Sequence, residues 1–326
     1  MAFSETEFLA FYKSKLLPLL EKLEPGHKRM RNDFLKFVIP AFVVSVLIGY
    51  VLPVSVVLKL CIALTSTYLL GVVLFAVKFR KELTYFRTIF KGEIIAPIIG
   101  FVDATFSYSS KEYISKREFD ESKIFNVGNE FKGDDLVTGK TGNVEFKFCE
   151  VNYYDRDNFK DMSKHRDRSR SVFKGLFLQA SLPQSVHGET MVFPAGKKSE
   201  VKRFNLNGYY HKSAKLQIVP TEDAEFSKRF VVYSNNPKEA KDILTSAFSN
   251  NLLTISKQLD RTMFLSFKAD KVYVAISSYG SGLSLKRNAT FFEPPFFKSL
   301  LKYKLYRAHV TVINNVISLT HLFDKR

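Results

Sequence analysis

The sequence predicts an α+β protein: an N-terminal two-span transmembrane helical hairpin, followed by a cytoplasmic domain with a largely antiparallel sheet and flanking helices. Three observations predict it. Two apolar runs lie almost end to end, Phe34 to Leu52 ("FLKFVIPAFVVSVLIGYVL") and Val54 to Val77 ("VSVVLKLCIALTSTYLLGVVLFAV"). Each is near or above the roughly 18 to 20 residues that cover a hydrocarbon core. Beyond them, short stretches of apolar/polar alternation bounded by turn residues read as strands. These strands join through short loops or single helices, the pattern of an α+β domain. The chain therefore divides into a helical segment at 1–33, the hairpin at 34–77 and the α+β domain at 78–326.

The first segment, "SETEFLAFYKSKLLPLLEKLEPG", opens with Ser4 and Glu7 at the spacing of a capping box. Phe8, Phe11, Tyr12, Lys15, Leu16, Leu19, Leu20 and Leu23 then recur at three and four, a helical apolar stripe with Lys13 and Lys22 elsewhere. Pro18 is expected to bend it. Glu5, Glu7, Glu21 and Glu24 nearly balance the lysines, which favours packing against the rest of the protein over adhesion to anionic lipid.

Only Pro53 separates the two apolar runs, so they predict antiparallel spans joined by a tight uncharged turn. Pro40 is expected to kink the first span. Lys28, Arg29, Arg31 and Lys36 crowd its entrance, and Lys78, Arg80, Lys81, Arg87 and Lys91 follow the second. Basic flanks stay on the cytoplasmic side, which places both termini there. Lys59 lies about 8 Å past Val54 at the helical rise, within snorkelling reach of the outer interface.

After the hairpin, "KFRKELTYFRTIFKGEIIAPIIGFVDATFSY" continues as a helix bending near Pro97, and "SKREFDESKIF" predicts another. Strands are expected at 144–151, 172–182, 188–194, 215–220 and 229–234, with a hairpin over 263–277 turning at Ala269 and Asp270. Asn236, Pro237 and Glu239 supply an N-cap, a first-turn proline and an N3 glutamate for a helix over 236–259. Its buried side is expected at Ile243, Leu244, Ala247, Leu252 and Ile255. A last helix follows Pro294 and Pro295, with Leu300, Leu301, Leu305, Val312, Ile313, Val316 and Leu319 as its core residues.

The chemistry-bearing patterns are few. "GDDLVTGKTGNVEFKF" contains Gly-Lys-Thr, but Gly133 and Gly139 stand five residues apart where a phosphate-binding loop needs four, and a strand pattern rather than a helix follows. Lys140 is expected as an exposed turn lysine. The six His never pair with each other or with Cys61 and Cys149 at a metal-ligand spacing, so neither zinc nor a disulfide framework is indicated. The carboxylate pairs Asp134/Asp135 and Glu222/Asp223 do not by themselves place two groups across a cleft. "GSGLSLKRN", from Gly280, reads as a glycine-rich loop at a strand end. No catalytic residue, cofactor site or metal site is assigned.

A net charge of +17 and a pI near 9.6 call for an anionic partner. The densest basic stretch, "YDRDNFKDMSKHRDRSRSVFKG", interleaves Arg156, Lys160, Lys164, Arg166, Arg168, Arg170 and Lys174 with four aspartates. It is the candidate contact for an anionic surface. Lipid headgroups suit it better than nucleic acid, because the hairpin would tether it near a bilayer and no recognition motif for DNA or RNA is visible.

Taken in order, "EFLAFYKSKLLPLLEKLE", the two spans, "GDDLVTGKTGNVEFKFCEV", "FKGLFLQASL", "AEFSKRFVVYSNNPKEAKDILTSAFSNNLLTI" and "KVYVAIS" resemble a bacterial membrane-protein family catalogued as domain of unknown function 3137. The resemblance implies a two-span inner-membrane protein with a cytoplasmic domain, and it carries over no catalytic residues. The expected function is a membrane-anchored binding or scaffold protein that contacts headgroups or a protein partner. The alternative is an enzyme acting on a lipid or membrane-derived substrate.

Overall fold

The computed structural model of the protein describes residues 4–51, 55–125, 128–156, 169–195, 216–280, 290–294 and 296–324. They form two compact units: one comprises residues 1–98 with 293–307, the other 99–292 with 308–326.

The first unit is helical. Ser4 caps α1 (Glu5–Phe11) through the predicted capping box. A π-helical turn (Tyr12–Leu16) leads into α2 (Leu17–Val51), and α3 (Val56–Phe90), capped by Ser55, returns beside it. A second π turn (Lys91–Ile95) precedes α4 (Ala96–Val102). Each π turn ends two residues before a proline, Pro18 or Pro97, where a ring without an N–H disturbs an α-helical ladder. The expected bends are thus absorbed by widened turns. Phe8, Tyr12, Leu16 and Leu20 are buried at a spacing of four. A regular α-helix advances about 400° over four residues, so that stripe would drift by about 40° per step. The π turn inside it counters the drift. Gly71 lets the hairpin helices approach closely: a Cβ there would sit 2.9 Å from Cγ2 of Val38. Among the described residues no helix is long and apolar enough to cross a membrane. The hairpin is therefore observed as a helical pair, without support for its spanning a bilayer.

The second unit is the expected mix of antiparallel sheet and flanking helices. Its seven strands are β1 (Ser107–Ser109), β2 (Glu130–Thr141), β3 (Val144–Arg156), β4 (Ser169–Pro194), β5 (Gln217–Val219), β6 (Phe230–Ser234) and β7 (Arg261–Gly280). They run in the order β1-β2-β3-β4-β6-β5, with β7 on β4, and every pairing is antiparallel. β7 follows one edge of β4 along most of its length. On the other edge β3 pairs with the first half of β4 and β6 with the second.

Three expectations are corrected here. The strands at 172–182 and 188–194 are one strand, interrupted only by register shifts between Ser181 and Glu189. The hairpin over 263–277 does not exist. Ala269 does take positive φ (51°), but extra residues in β4 opposite it absorb the kink as a bulge, so β7 bends and continues. The helix over 236–259 is two helices, α7 (Pro237–Ile243) and α8 (Ser246–Leu259), because Leu244 leaves the helical region (φ −93°, ψ 51°) and Thr245 caps anew through its hydroxyl. The break shifts the buried face: Ala247 is exposed, while Phe248, Leu252, Leu253, Ile255 and Leu259 are buried. The remaining helices are α5 (Lys116–Glu121), α6 (Ala224–Arg229) and α9 (Tyr303–Asp324).

Both faces of the sheet are covered. Cys149, Val151 and Tyr153 alternate along β3 toward α5, whose Phe119 is the aromatic hub of that layer, 4.7 Å from Phe177 and 5.2 Å from Tyr153. Phe264 belongs to the same layer. Phe267, three residues on, points to the opposite face and meets Phe248 of α8 at 6.0 Å and Phe323 of α9 at 6.2 Å.

Gly175 lies where β3, β4 and β7 meet, opposite both Val151 and Ser277. A Cβ there would collide with the Ile276 carbonyl oxygen, which is backbone and cannot swing aside. Gly175→Ala is expected to cost about 3 kcal/mol, read as a lowered Tm of the full chain. Gly100→Ala, on α4 with open space around it, is expected to raise stability by about 0.5–1 kcal/mol.

Candidate functional site

The described residues bring one chemistry-bearing cluster together, in the second unit. β2 and β3 are joined by the two-residue turn Gly142-Asn143, with Thr141 opposite Val144 and positive φ (60°) at Gly142, as a turn with glycine at its first central position requires. Gly139, Lys140 and Thr141 close β2 ahead of that turn, and Lys140 is exposed opposite Glu145. A strand and not a helix N-terminus follows the Gly-Lys-Thr.

Along the same pair of strands, Asp134 faces Glu150. A register shift between Asp134 and Val137 accommodates Asp135, which takes positive φ (60°) and is wholly buried. The bulge re-aims the Asp135 side chain, and one carboxylate oxygen each from Asp134, Asp135 and Glu150 falls within 4.8 Å of the others. Three carboxylate oxygens at such a separation match the donor set of a hard divalent cation.

The surrounding groups give this cluster a second role. Tyr108 of β1 donates its phenol proton to Asp135 Oδ1 (2.5 Å). Burial, then the neighbouring Asp135 carboxylate, holds that phenol protonated far above its ordinary range. Glu150 accepts the backbone N–H of Phe291 on Oε1 (3.0 Å) and of Phe292 on Oε2 (3.4 Å), fixing a buried stretch of chain more than a hundred residues away in sequence. Cys149, next to Glu150, is a free buried thiol that accepts the Ile114 N–H. Burial, reinforced by Asp134 and Glu150, pushes it up to about 12 and leaves it unreactive as a nucleophile.

Of the residues assigned from sequence to an anionic surface, Lys160, Lys164, Arg166 and Arg168 lie outside the described residues. Arg156 and Arg170 belong to the paired ends of β3 and β4, opposite Ser169 and Asp155, but their side chains are likewise outside the description. Lys174 is half-buried on β4 opposite Asn152. The loop that follows Gly280 also lies outside it. Asp223, weighed as one of a carboxylate pair, is the N-cap of α6 and accepts from the N–H groups of Glu225 and Phe226. Glu239 reaches out from α7 to accept the N–H groups of His187 (2.8 Å) and Gly188 (2.7 Å) in the irregular stretch of β4.

Residues 171–325 match the model of a protein family of unknown function, DUF3137. This match supports the resemblance to that family read from the sequence. The DUF3137 region opens in β4 and closes in α9, so it takes in the β4–β7 pairing and leaves out β1 to β3 with the acidic cluster. Among solved structures, the chain is similar to the crystal structure of the mycobacterial trehalose monomycolate transport factor A, TtfA, at 11% identity over 68% of this chain and 88% of that chain, with a TM-score of 0.28. No curated protein matches.

His309 of α9 sits against Phe292 (ring centroids 6.3 Å apart). Burial pushes its imidazole down to about 4, against the opposing effect of its hydrogen bond with the Phe291 backbone. The unfolded chain takes up a proton near the ordinary value of 6.5, which the folded chain refuses until about 4. Stability is therefore full above 6.5 and falls as pH drops toward 4, by up to about 3 kcal/mol from this one group. His309→Gln is expected to flatten that part of the pH–stability curve, measured by urea unfolding between pH 7 and 4.

Proposed function

We propose that the protein is a non-enzymatic, membrane-anchored binding or scaffold protein. In this reading α2 and α3 insert as a hairpin in the bacterial inner membrane with both termini cytoplasmic. The basic domain then meets anionic headgroups or a protein partner at that face.

The observation that carries the reading is the outward face of the hairpin. Leu35, Ile39, Phe42 and Val43 form a stripe on α2 at 40–60% exposure, and Leu69, Val73 and Val77 form one on α3 at 53–78%. Val56, Leu58 and Leu60 are also exposed near the start of α3. Apolar side chains gathered this way mark a surface that another phase or molecule covers. Toward the ends of the helices remote from the turn the surface becomes basic: Arg29, Lys36, Arg80 and Lys81 are exposed, as the cytoplasmic flanks of two spans are. Set against this reading is the absence of a long, wholly apolar helix among the described residues. Among the described residues the enzymatic alternative draws on the Asp134–Asp135–Glu150 cluster, where the oxygens of Glu150 already accept backbone hydrogen bonds.

Two experiments separate these possibilities. A reporter enzyme active only in the periplasm is expected to be silent when fused after Arg326 and active when inserted at Pro53. Activity after Arg326 would reverse the orientation, and silence at both sites with normal expression would remove the membrane crossing. In-cell crosslinking is expected to join the full-length protein to a partner or to anionic lipid, and the contact is expected to disappear when residues 156–170 are deleted. A contact that survives the deletion would place the surface elsewhere.

A further inference from the structure

The final helix of the chain is preceded by a segment, Glu293–Lys302, that sequence reasoning treated as the start of a buried element. Leu300 is buried as expected, but Leu301 is 39% exposed and Phe297 65% exposed, an unusual position for a large aromatic ring. We propose that Phe296–Lys302 is an interfacial anchor, a third contact with the lipid bilayer in addition to the two helices of the hairpin. This inference rests on the membrane insertion proposed above and identifies a surface that the two apolar runs do not include.

The placement of Phe297 carries the proposal. Its ring lies 5.8 Å from Phe34, and that of its neighbour Phe296 lies 5.7 Å from Phe34, with 5.0 Å between the two. Phe34 is the first residue of the first apolar run, the level at which an inserted α2 would leave the headgroups. Phe297 is thus continuous with the exposed stripe that begins at Leu35 and Ile39 on the same helix. Lys298 and Lys302 flank the exposed Phe297 and Leu301 and are themselves exposed. An apolar ring bordered by lysines is the composition that beds into the boundary of headgroups and acyl chains, roughly 5–10 Å deep, with its cations among anionic headgroups. The chain has no tryptophan, so phenylalanine and tyrosine are the aromatic residues available for that level.

The segment is also held rigidly for the task. Glu293 pairs with Arg87 (2.9 Å) and Lys91 (3.4 Å) of the α3 stretch. The Leu300 N–H donates to Glu24 (2.8 Å), and the carbonyls of Leu301 and Leu300 accept from the hydroxyls of Tyr12 (2.8 Å) and Tyr306 (2.6 Å). A loop fixed at both ends gives up little conformational freedom on contact, so the burial of one ring is not offset by ordering cost.

The missing tryptophan makes the test direct, because Phe297→Trp introduces a single emitter at an exposed position. Full-length F297W, I39W and K13W are reconstituted into phosphatidylethanolamine/phosphatidylglycerol vesicles, with and without bromine on the upper acyl carbons. Ile39 reports on hairpin insertion. Lys13 is exposed in the same unit, about 30 Å along the helix from Phe34. The expected result is loss of emission in brominated vesicles for I39W and F297W and none for K13W. Quenching of I39W with F297W as bright as K13W would overturn the interfacial anchor while leaving the insertion intact. Both I39W and F297W unquenched would overturn the insertion and the anchor with it.

Discussion

The β4–β7 ladder is the constraint on which the second unit depends. β4 is 26 residues long; β7 follows one of its edges, and β3 and then β6 take the other. Its apolar residues fall on both faces of the sheet, and Val172, Phe173, Leu176, Phe177, Leu178 and Ala180 are buried in near-continuous sequence. Helices must then lie on both sides. α5 and its Phe119 serve one, and α8 with α9 serve the other. The irregular stretch between Ser181 and Glu189 lets one strand hold β3 and then β6 on the same edge, and its freed N–H groups at His187 and Gly188 are satisfied by Glu239. A gap in the ladder is thus closed by a side chain from α7.

What was legible in the sequence was local. The caps at Ser4 and Asn236 and the alternation of Val144 to Phe148 each depend on a few neighbouring residues, and each appears as read. What failed depended on pairing. Ala269 and Asp270 carry turn character, but whether a kink reverses a chain or merely bends it is decided by its partner, and the spare residues of β4 were not visible as a bulge until the two were aligned. Thr245 is an N-cap residue in the middle of a helical period, a signal present in the sequence and outweighed there by the stronger start at Asn236.

The acidic cluster shows how far register could have been carried. Counting back from the two-residue turn, with Thr141 opposite Val144, places residue 135 opposite residue 150 before any bulge is considered. The single shift between Asp134 and Val137 moves that pairing to Asp134, and positive φ at Asp135 turns the adjacent carboxylate inward. A buried glutamate set against two aspartates was therefore within reach of the turn assignment alone. What could not be counted is Glu150's attachment to Phe291 and Phe292, which depends on how the chain returns from β7 to α9.

That attachment bears on whether the cluster is a reactive site or a structural joint. A carboxylate that serves as general base or metal ligand needs an oxygen available to its substrate. Glu150 accepts a backbone N–H on each oxygen, and Tyr108 donates to Asp135 from a phenol that burial keeps protonated. Phe291 is held again through its backbone by His309, so two ionisable side chains from β3 and α9 converge on one short stretch of chain. Removing either would leave buried backbone groups without their partner, at a cost of about 1–3 kcal/mol for each group. A residue that discharges this structural duty is poorly free to move during a reaction. The least exposed acids of the second unit thus serve to close its fold.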